Sequence, residues 1–291
     1  MKTLIIYLKT IASASLLLIA IAAGAQQTNA MKTLKKSGHA PVNGISMYYE
    51  IHGSGKMPLV LIHGGGSTIE STFGKILPLL AAKNEVIAVE LQAHGRTTDR
   101  DAPESFAQDA DDVAALLKYL KVDKANIFGF SNGGSTAMQI AIRHPEIPNK
   151  IIVAAGAYKR EGFINGFFES MPNATIANMP KQLQDDFLKV TPDKSKLQTM
   201  FEKDKARMET FKDWSDDDLR GIKVPTLFMA SFNDVITVEH TNNMAHLVPG
   251  AQLIILPGAH GAFMGTTDSG ATENNAIIGV TATLIEDFLA K

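Results

Sequence analysis

The segment that most restricts the fold is a strand-length apolar run, Ala125–Phe130, that passes through Ser131-Asn132-Gly133-Gly134 into a helical pattern ending near Arg143. Chain reversal between a strand and a helix in so few residues forces tight backbone angles on the serine. Side chains two residues before and after it would then collide, and Gly129 and Gly133 remove both clashes. This strand–turn–helix setting is where G-x-S-x-G signifies a nucleophile elbow rather than a chance match. It lifts a hydroxyl above the carboxyl edge of a sheet and aims a helix N-terminus at developing negative charge.

The surroundings supply such a sheet. Residues 46–52, 58–62, 85–89, 150–155, 224–230 and 252–256 read as further strands. Helical patterns intervene: residues 105–120 carry an apolar stripe of Phe106, Val113, Leu116, Leu117 and Leu120, with Ser105 placed to cap. Strands apolar on both faces and alternating with helices imply a mostly parallel sheet covered on both sides. The rhythm breaks at residues 158–221, which are rich in Phe, Met, Lys and Asp and show helical patches without a convincing strand. An insertion of that length predicts a helical cap over a core formed by residues 31–157 and 222–291.

A serine hydroxyl needs a base, and the base needs an orienting group. Of eight histidines, His260 alone follows a predicted strand with glycines on both sides, Gly258 and Gly261. Asp234 lies in the loop after the strand at residues 224–230; its nearest rival, Glu239, belongs to the helix that follows. The order Ser131, Asp234, His260 differs from that of chymotrypsin and of subtilisin. His63-Gly64-Gly65-Gly66 follows another apolar strand and offers backbone N–H groups for an oxyanion hole, Gly65 first and Gly66 as the alternative, with Asn132 completing the pair. His63 itself reads as a structural hydrogen-bonding residue. The cap residues Phe163 and Phe167 are candidates for a substrate-binding wall, or equally for docking the cap.

Together these segments resemble the α/β-hydrolase superfamily, in the branch with a helical cap that includes esterases, carbon–carbon hydrolases, proline iminopeptidases and perhydrolases. The likeness runs from about Gly44 to Lys291 and takes in Asn43-Gly44-Ile45, the His63 loop, residues 91–97, the Ser131 elbow, Asp234 and His260. Where that family often has Asp followed by R-G-x-G-x-S, this chain has Glu90 and Leu91-Gln92-Ala93-His94-Gly95-Arg96-Thr97, a departure assigned to a structural turn. The resemblance implies hydrolysis of small or medium carboxylic esters through an acyl-enzyme. Other bonds on the same fold and non-catalytic binding stand as alternatives.

Composition bounds the rest. A net charge of −2 and the lack of a basic block with interleaved aromatics argue against a nucleic-acid partner. No Cys, no H-x-x-x-H spacing, no Walker A and no G-x-G-x-x-G leave no basis for a metal or a cofactor. Residues 1–25 have the build of a signal peptide: Lys2 and Lys9, an apolar run at residues 11–23, then Ala23-Gly24-Ala25. The expectation is a cleaved leader, a secreted or periplasmic protein without stable membrane insertion, and a mature chain with 26 basic and 30 acidic residues, net −4. An uncleaved anchor and a start at Met31 are the competing readings. The sequence does not address oligomeric state.

Overall fold

The computed structural model describes residues 33–267 and 275–291. The leader expectation for residues 1–25 lies outside them. Eight strands form one sheet: β1 (Leu34–Val42), β2 (Ile45–Gly53), β3 (Leu59–Ile62), β4 (Glu85–Val89), β5 (Ala125–Phe130), β6 (Pro148–Ala154), β7 (Thr226–Asn233) and β8 (Gln252–Ala259). Their order is β1-β2-β4-β3-β5-β6-β7-β8. β1 pairs antiparallel with β2, and β2 with β4; every later pairing is parallel.

Alternation of side chains along the parallel strands builds two cores. In β3, Val60 and Ile62 join one apolar cluster, and Leu59 and Leu61 the other; in β5, Ile127 faces one way, Phe128 and Phe130 the other. Covering both faces stabilises the sheet by about 1.5–3 kcal/mol for each large side chain removed from water. The helices are α1 (Ile69–Phe73), α2 (Leu77–Ala81), α3 (Phe106–Tyr119), α4 (Asn132–Arg143), α5 (Phe167–Ser170), α6 (Lys181–Val190), α7 (Lys194–Thr210), α8 (Asp216–Arg220), α9 (Val238–Leu247) and α10 (Asn275–Ala290). Ser105 caps α3 as expected, its Oγ accepting the Gln108 N–H at 3.1 Å.

The hairpin β1–β2 supplies a strand not anticipated from the sequence. β1 lies at the sheet edge and exposes most of its first half, Leu34 to Gly38, so it lacks an apolar run. Its turn is Asn43-Gly44, both with positive φ (44° and 85°), as a two-residue hairpin turn demands.

Between β6 and β7 the described chain is helical, with no strand. α6 and α7 pack over the carboxyl edge of the sheet through a small cluster of Met179, Leu183, Phe187, Leu197, Met200 and Ala93. A second cluster, around Phe106, Met208 and Phe211, ties the end of α7 to α3. Among the described residues no helix is long and apolar enough to cross a membrane.

Candidate active site

Ser131 stands between β5 and α4 with φ 55° and ψ −120°, outside the regions a side chain ordinarily favours. The turn is packed against backbone on both sides. A Cβ on Gly129 would collide with the carbonyl of Gly133, and one on Gly133 with the carbonyls of Ile62 and His63 at the end of β3. Gly133 is thus needed less for the contact with residue 129 than for the close approach of α4 to the neighbouring strand. Strain of about 1–3 kcal/mol at the serine persists because these contacts leave it no alternative.

The structure brings the three expected side chains together. Ser131 Oγ lies 3.0 Å from His260 Nε2, and His260 Nδ1 lies 2.6 Å from Asp234 Oδ1. Asp234 is held by two backbone donors: Ser231 N–H reaches Oδ2 and Ile236 N–H reaches Oδ1, each at 3.2 Å. A carboxylate so placed accepts Nδ1–H, which leaves the Nε2 lone pair facing the serine hydroxyl. The Asp234 side chain is fully buried, whereas that of His260 keeps 20% of its surface open toward the cavity. Gly258 and Gly261, with φ of 116° and 71°, turn the loop that carries His260 back over the sheet, and Phe130 supports the imidazole at 4.6 Å. Glu239 is exposed in the first turn of α9.

His63 has the structural role expected of it. Its Nδ1–H donates to Gly64 O at 2.7 Å while Nε2 accepts the Leu91 N–H at 3.0 Å, which fixes the loop after β3 to the loop after β4. Burial pushes its pKa down to about 3, so the ring is neutral.

Of the candidate oxyanion donors, the N–H groups of Gly65 and Asn132 have no acceptor among the described residues, whereas Gly66 N–H donates to Asp204 Oδ2 at 2.6 Å. The alternative donor Gly66 is therefore occupied. Asp204, on α7, also takes His94 Nε2 at 2.9 Å and Asn132 Nδ2 at 3.3 Å. Burial alone would lower the pKa of His94, but the charge and hydrogen bond of Asp204 outweigh it and hold it up at about 9. His94 and Asp204 were not among the residues picked out from the sequence. The segment after Glu90 is indeed a turn, with Glu90 buried and bound to Arg96 N–H (2.6 Å) and Nη1 (2.7 Å). It is more than that, because it delivers His94 beneath the glycine loop.

A cavity of about 360 Å³ opens over Ser131 and His260. Phe163, Phe167, Met171, Met179, Leu183 and Met200 contribute much of its apolar wall, and Asp204, Asn132 and Asn178 are polar points on it. Phe163 and Phe167 stack at 4.5 Å and also pack with Phe168, so both both line the cavity and consolidate the cap.

Comparison with known proteins agrees with this architecture. The family model for the alpha/beta hydrolase fold matches residues 57–187. The matched stretch, just under half of the chain, is similar to the alpha/beta hydrolases, and the chain has their fold. Among curated proteins it is 27% identical over 245 residues to RutD of Azorhizobium caulinodans, a hydrolase provisionally assigned to carbamates; the match covers 76% of this chain and 90% of that one. It is 34% identical to the human serine hydrolase BPHL over 134 residues, which are 44% of this chain and 46% of the relative. A solved serine hydrolase involved in carbazole degradation superposes with a TM-score of 0.70 at 21% identity, covering 88% of this chain and 98% of that chain. The enol-lactonase from Burkholderia xenovorans LB400 superposes at 0.67 and 19% identity, covering 87% and 100%. Both structures share the fold.

Proposed function

We propose that the protein is a serine hydrolase that cleaves small or medium carboxylic esters through an acyl-enzyme. The observation that carries this reading is the hydrogen-bonded chain Ser131–His260–Asp234 at the floor of a largely apolar cavity. Ser131 Oγ attacks the carbonyl as its proton passes to His260 Nε2, and the buried Asp234 carboxylate stabilises the imidazolium that forms. The carbonyl oxygen, now carrying the charge, is received by Gly65 and Asn132 N–H; one such donor contributes about 2.7–4 kcal/mol to the transition state in known cases. His260 then protonates the departing alcohol, and water activated by the same nitrogen releases the acid. Phe163 and Phe167 flank the acyl or alcohol chain.

A second reading keeps the machinery and changes the bond, to a carbamate or a lactone. Similarity to RutD over three-quarters of the chain supports it, since both bonds place a carbonyl before the same nucleophile. The signal-like segment at residues 1–25 supports an exported enzyme.

The test is a fluorophosphonate probe followed by a panel of p-nitrophenyl acetate and butyrate, carbamates and lactones. Labelling at Ser131, ester turnover, and loss of both in Ser131→Ala are expected. An unlabelled wild-type protein would point to a binding module, and turnover confined to carbamates or lactones would select the second reading.

A further inference from the structure

Asp204 does something that packing alone does not require. Its three partners come from three separate pieces of the site: Gly66 from the loop after β3, His94 from the turn after β4, and Asn132 from the first residue of α4. The two N–H donors without an acceptor among the described residues, Gly65 and Asn132, sit beside the first and in the last of these. A single carboxylate therefore holds both halves of the oxyanion hole at a set separation. The fit is close, since a Cβ on Gly65 would lie 2.6 Å from Asn132 Nδ2 and 3.1 Å from Asp204 Oδ2.

A carboxylate here has a cost. Negative charge beside an oxyanion hole opposes the transition state the hole exists to stabilise. His94 answers it. Its Nδ1 faces the carbonyl of Gln92 at 2.8 Å and its Nε2 faces Asp204 at 2.9 Å. Gly66 N–H also approaches Nε2 at 3.3 Å but makes its shorter bond, 2.6 Å, to Asp204, so each ring nitrogen has an acceptor for a proton and the carboxylate favours the imidazolium. The pair is enclosed, with 1% of the His94 and 14% of the Asp204 side chain exposed, and the latter opening is onto the cavity. One turn along α7, the buried Arg207 adds to the positive field at Asp204, but its contacts go to Glu104 (2.7 Å) and Asp109 (2.9 Å), so His94 is the cation in direct contact with Asp204.

We propose that Asp204 and His94 form a positioning pair for the reaction: a carboxylate carried by the cap fixes both oxyanion donors, and the imidazolium from the core cancels its charge. The inference rests on the acyl-transfer reading. It makes the cap part of the chemistry as well as a wall of the cavity, through one residue of α7.

The experiment measures the second-order rate of fluorophosphonate labelling at Ser131, and kcat and KM for p-nitrophenyl butyrate, in wild type, His94→Gln, Asp204→Asn and the double variant. The phosphonyl oxygen must enter the same hole, so the labelling rate needs no knowledge of the natural substrate. His94→Gln leaves a bare carboxylate at the hole and should lower labelling and kcat about 10²-fold with KM changed less than about threefold. Asp204→Asn loses the tether but not the shape, for a loss of about tenfold, and Asn132 can turn its own amide to meet it. The double variant should regain about tenfold over His94→Gln, a recovery that a merely structural role does not produce. A double variant no better than His94→Gln would overturn the proposal. Should His94→Gln not fold, Asp204→Asn decides: a fall in kcat of threefold or more at unchanged KM sustains the pair, and anything less overturns it. Wild-type protein that the probe does not label would instead remove the acyl-transfer reading.

Discussion

Replacing Asp234 by Asn tests the orientation of the base with almost no change in volume. The carboxylate receives three N–H donors: His260 Nδ1 and Ile236 N on Oδ1, and Ser231 N on Oδ2. An amide has one acceptor oxygen, so it cannot serve both sides. If the oxygen stays toward His260, the new NH2 opposes Ser231 N–H; the tautomer survives, but the charge that stabilises the imidazolium is gone. If the amide turns over, its NH2 opposes Ile236 N–H and donates to Nδ1, which moves the imidazole proton to Nε2 and leaves Ser131 without a base. Either orientation buries one donor against another, worth about 1–3 kcal/mol of stability, or a fall of roughly 2–10 °C in Tm for a chain of this size. The kinetic loss is larger. The wrong tautomer costs about 10⁴ in kcat in a serine protease, and each tenfold is about 1.4 kcal/mol of barrier. The expected fall in kcat for p-nitrophenyl butyrate is therefore about 10²–10⁴, measured alongside a thermal melt and circular dichroism. A folded Asp234→Asn protein with kcat within tenfold of wild type would refute the reasoning, because no amide orientation reproduces what the carboxylate supplies.

Phe163→Ala removes one ring of the stacked pair with Phe167 and opens the cavity wall; KM for p-nitrophenyl butyrate should rise about tenfold with acetate little affected, as expected from about 1.5 kcal/mol of lost aromatic contact, and equal effects on both esters would count against a substrate-facing ring. Stability should fall with acid through His63. Burial lowers its folded pKa to about 3, below the unfolded value, so between about pH 6.5 and 3 the unfolded chain takes up a proton that the folded one refuses. Unfolding in urea at pH 7 and pH 5, compared between wild type and His63→Gln, should show the wild type losing about 2 kcal/mol more than the variant over that interval, and equal losses in the two proteins would contradict a neutral, doubly bonded His63.

Much of the sheet was legible because parallel strands covered on both faces must be apolar throughout. Leu59-Val60-Leu61-Ile62 is such a run, and all four residues are fully buried. β1 was not, since an exposed antiparallel edge can be written Leu-Lys-Lys-Ser-Gly; the Asn43-Gly44 turn is the signal that could have pointed to it. Ser131, Asp234 and His260 were legible for a related reason. Each follows a strand, so the sheet alone decides that they meet at one edge.

Asp204 follows no strand. Its helix reads Glu202-Lys203-Asp204-Lys205-Ala206-Arg207, a run that looks like a solvated face, and Lys203 and Lys205 do sit nearer the surface, bound to carbonyls of residues 100 and 102 and of 172 and 174. Asp204 and Arg207, three apart on the same helix, point the other way into the core. Sequence spacing shows that the two share a face, but not that the face is buried, because burial depends on where the cap comes to rest. That docking decides more than packing. It occupies Gly66 N–H and so leaves Gly65 and Asn132 as the pair open to a substrate oxygen. A chain with Ser131, Asp234 and His260 placed alike beneath a different cap would keep these three side chains and lose this selection of donors, so under the proposed function the core carries the nucleophile and the cap selects the amides that receive the oxyanion.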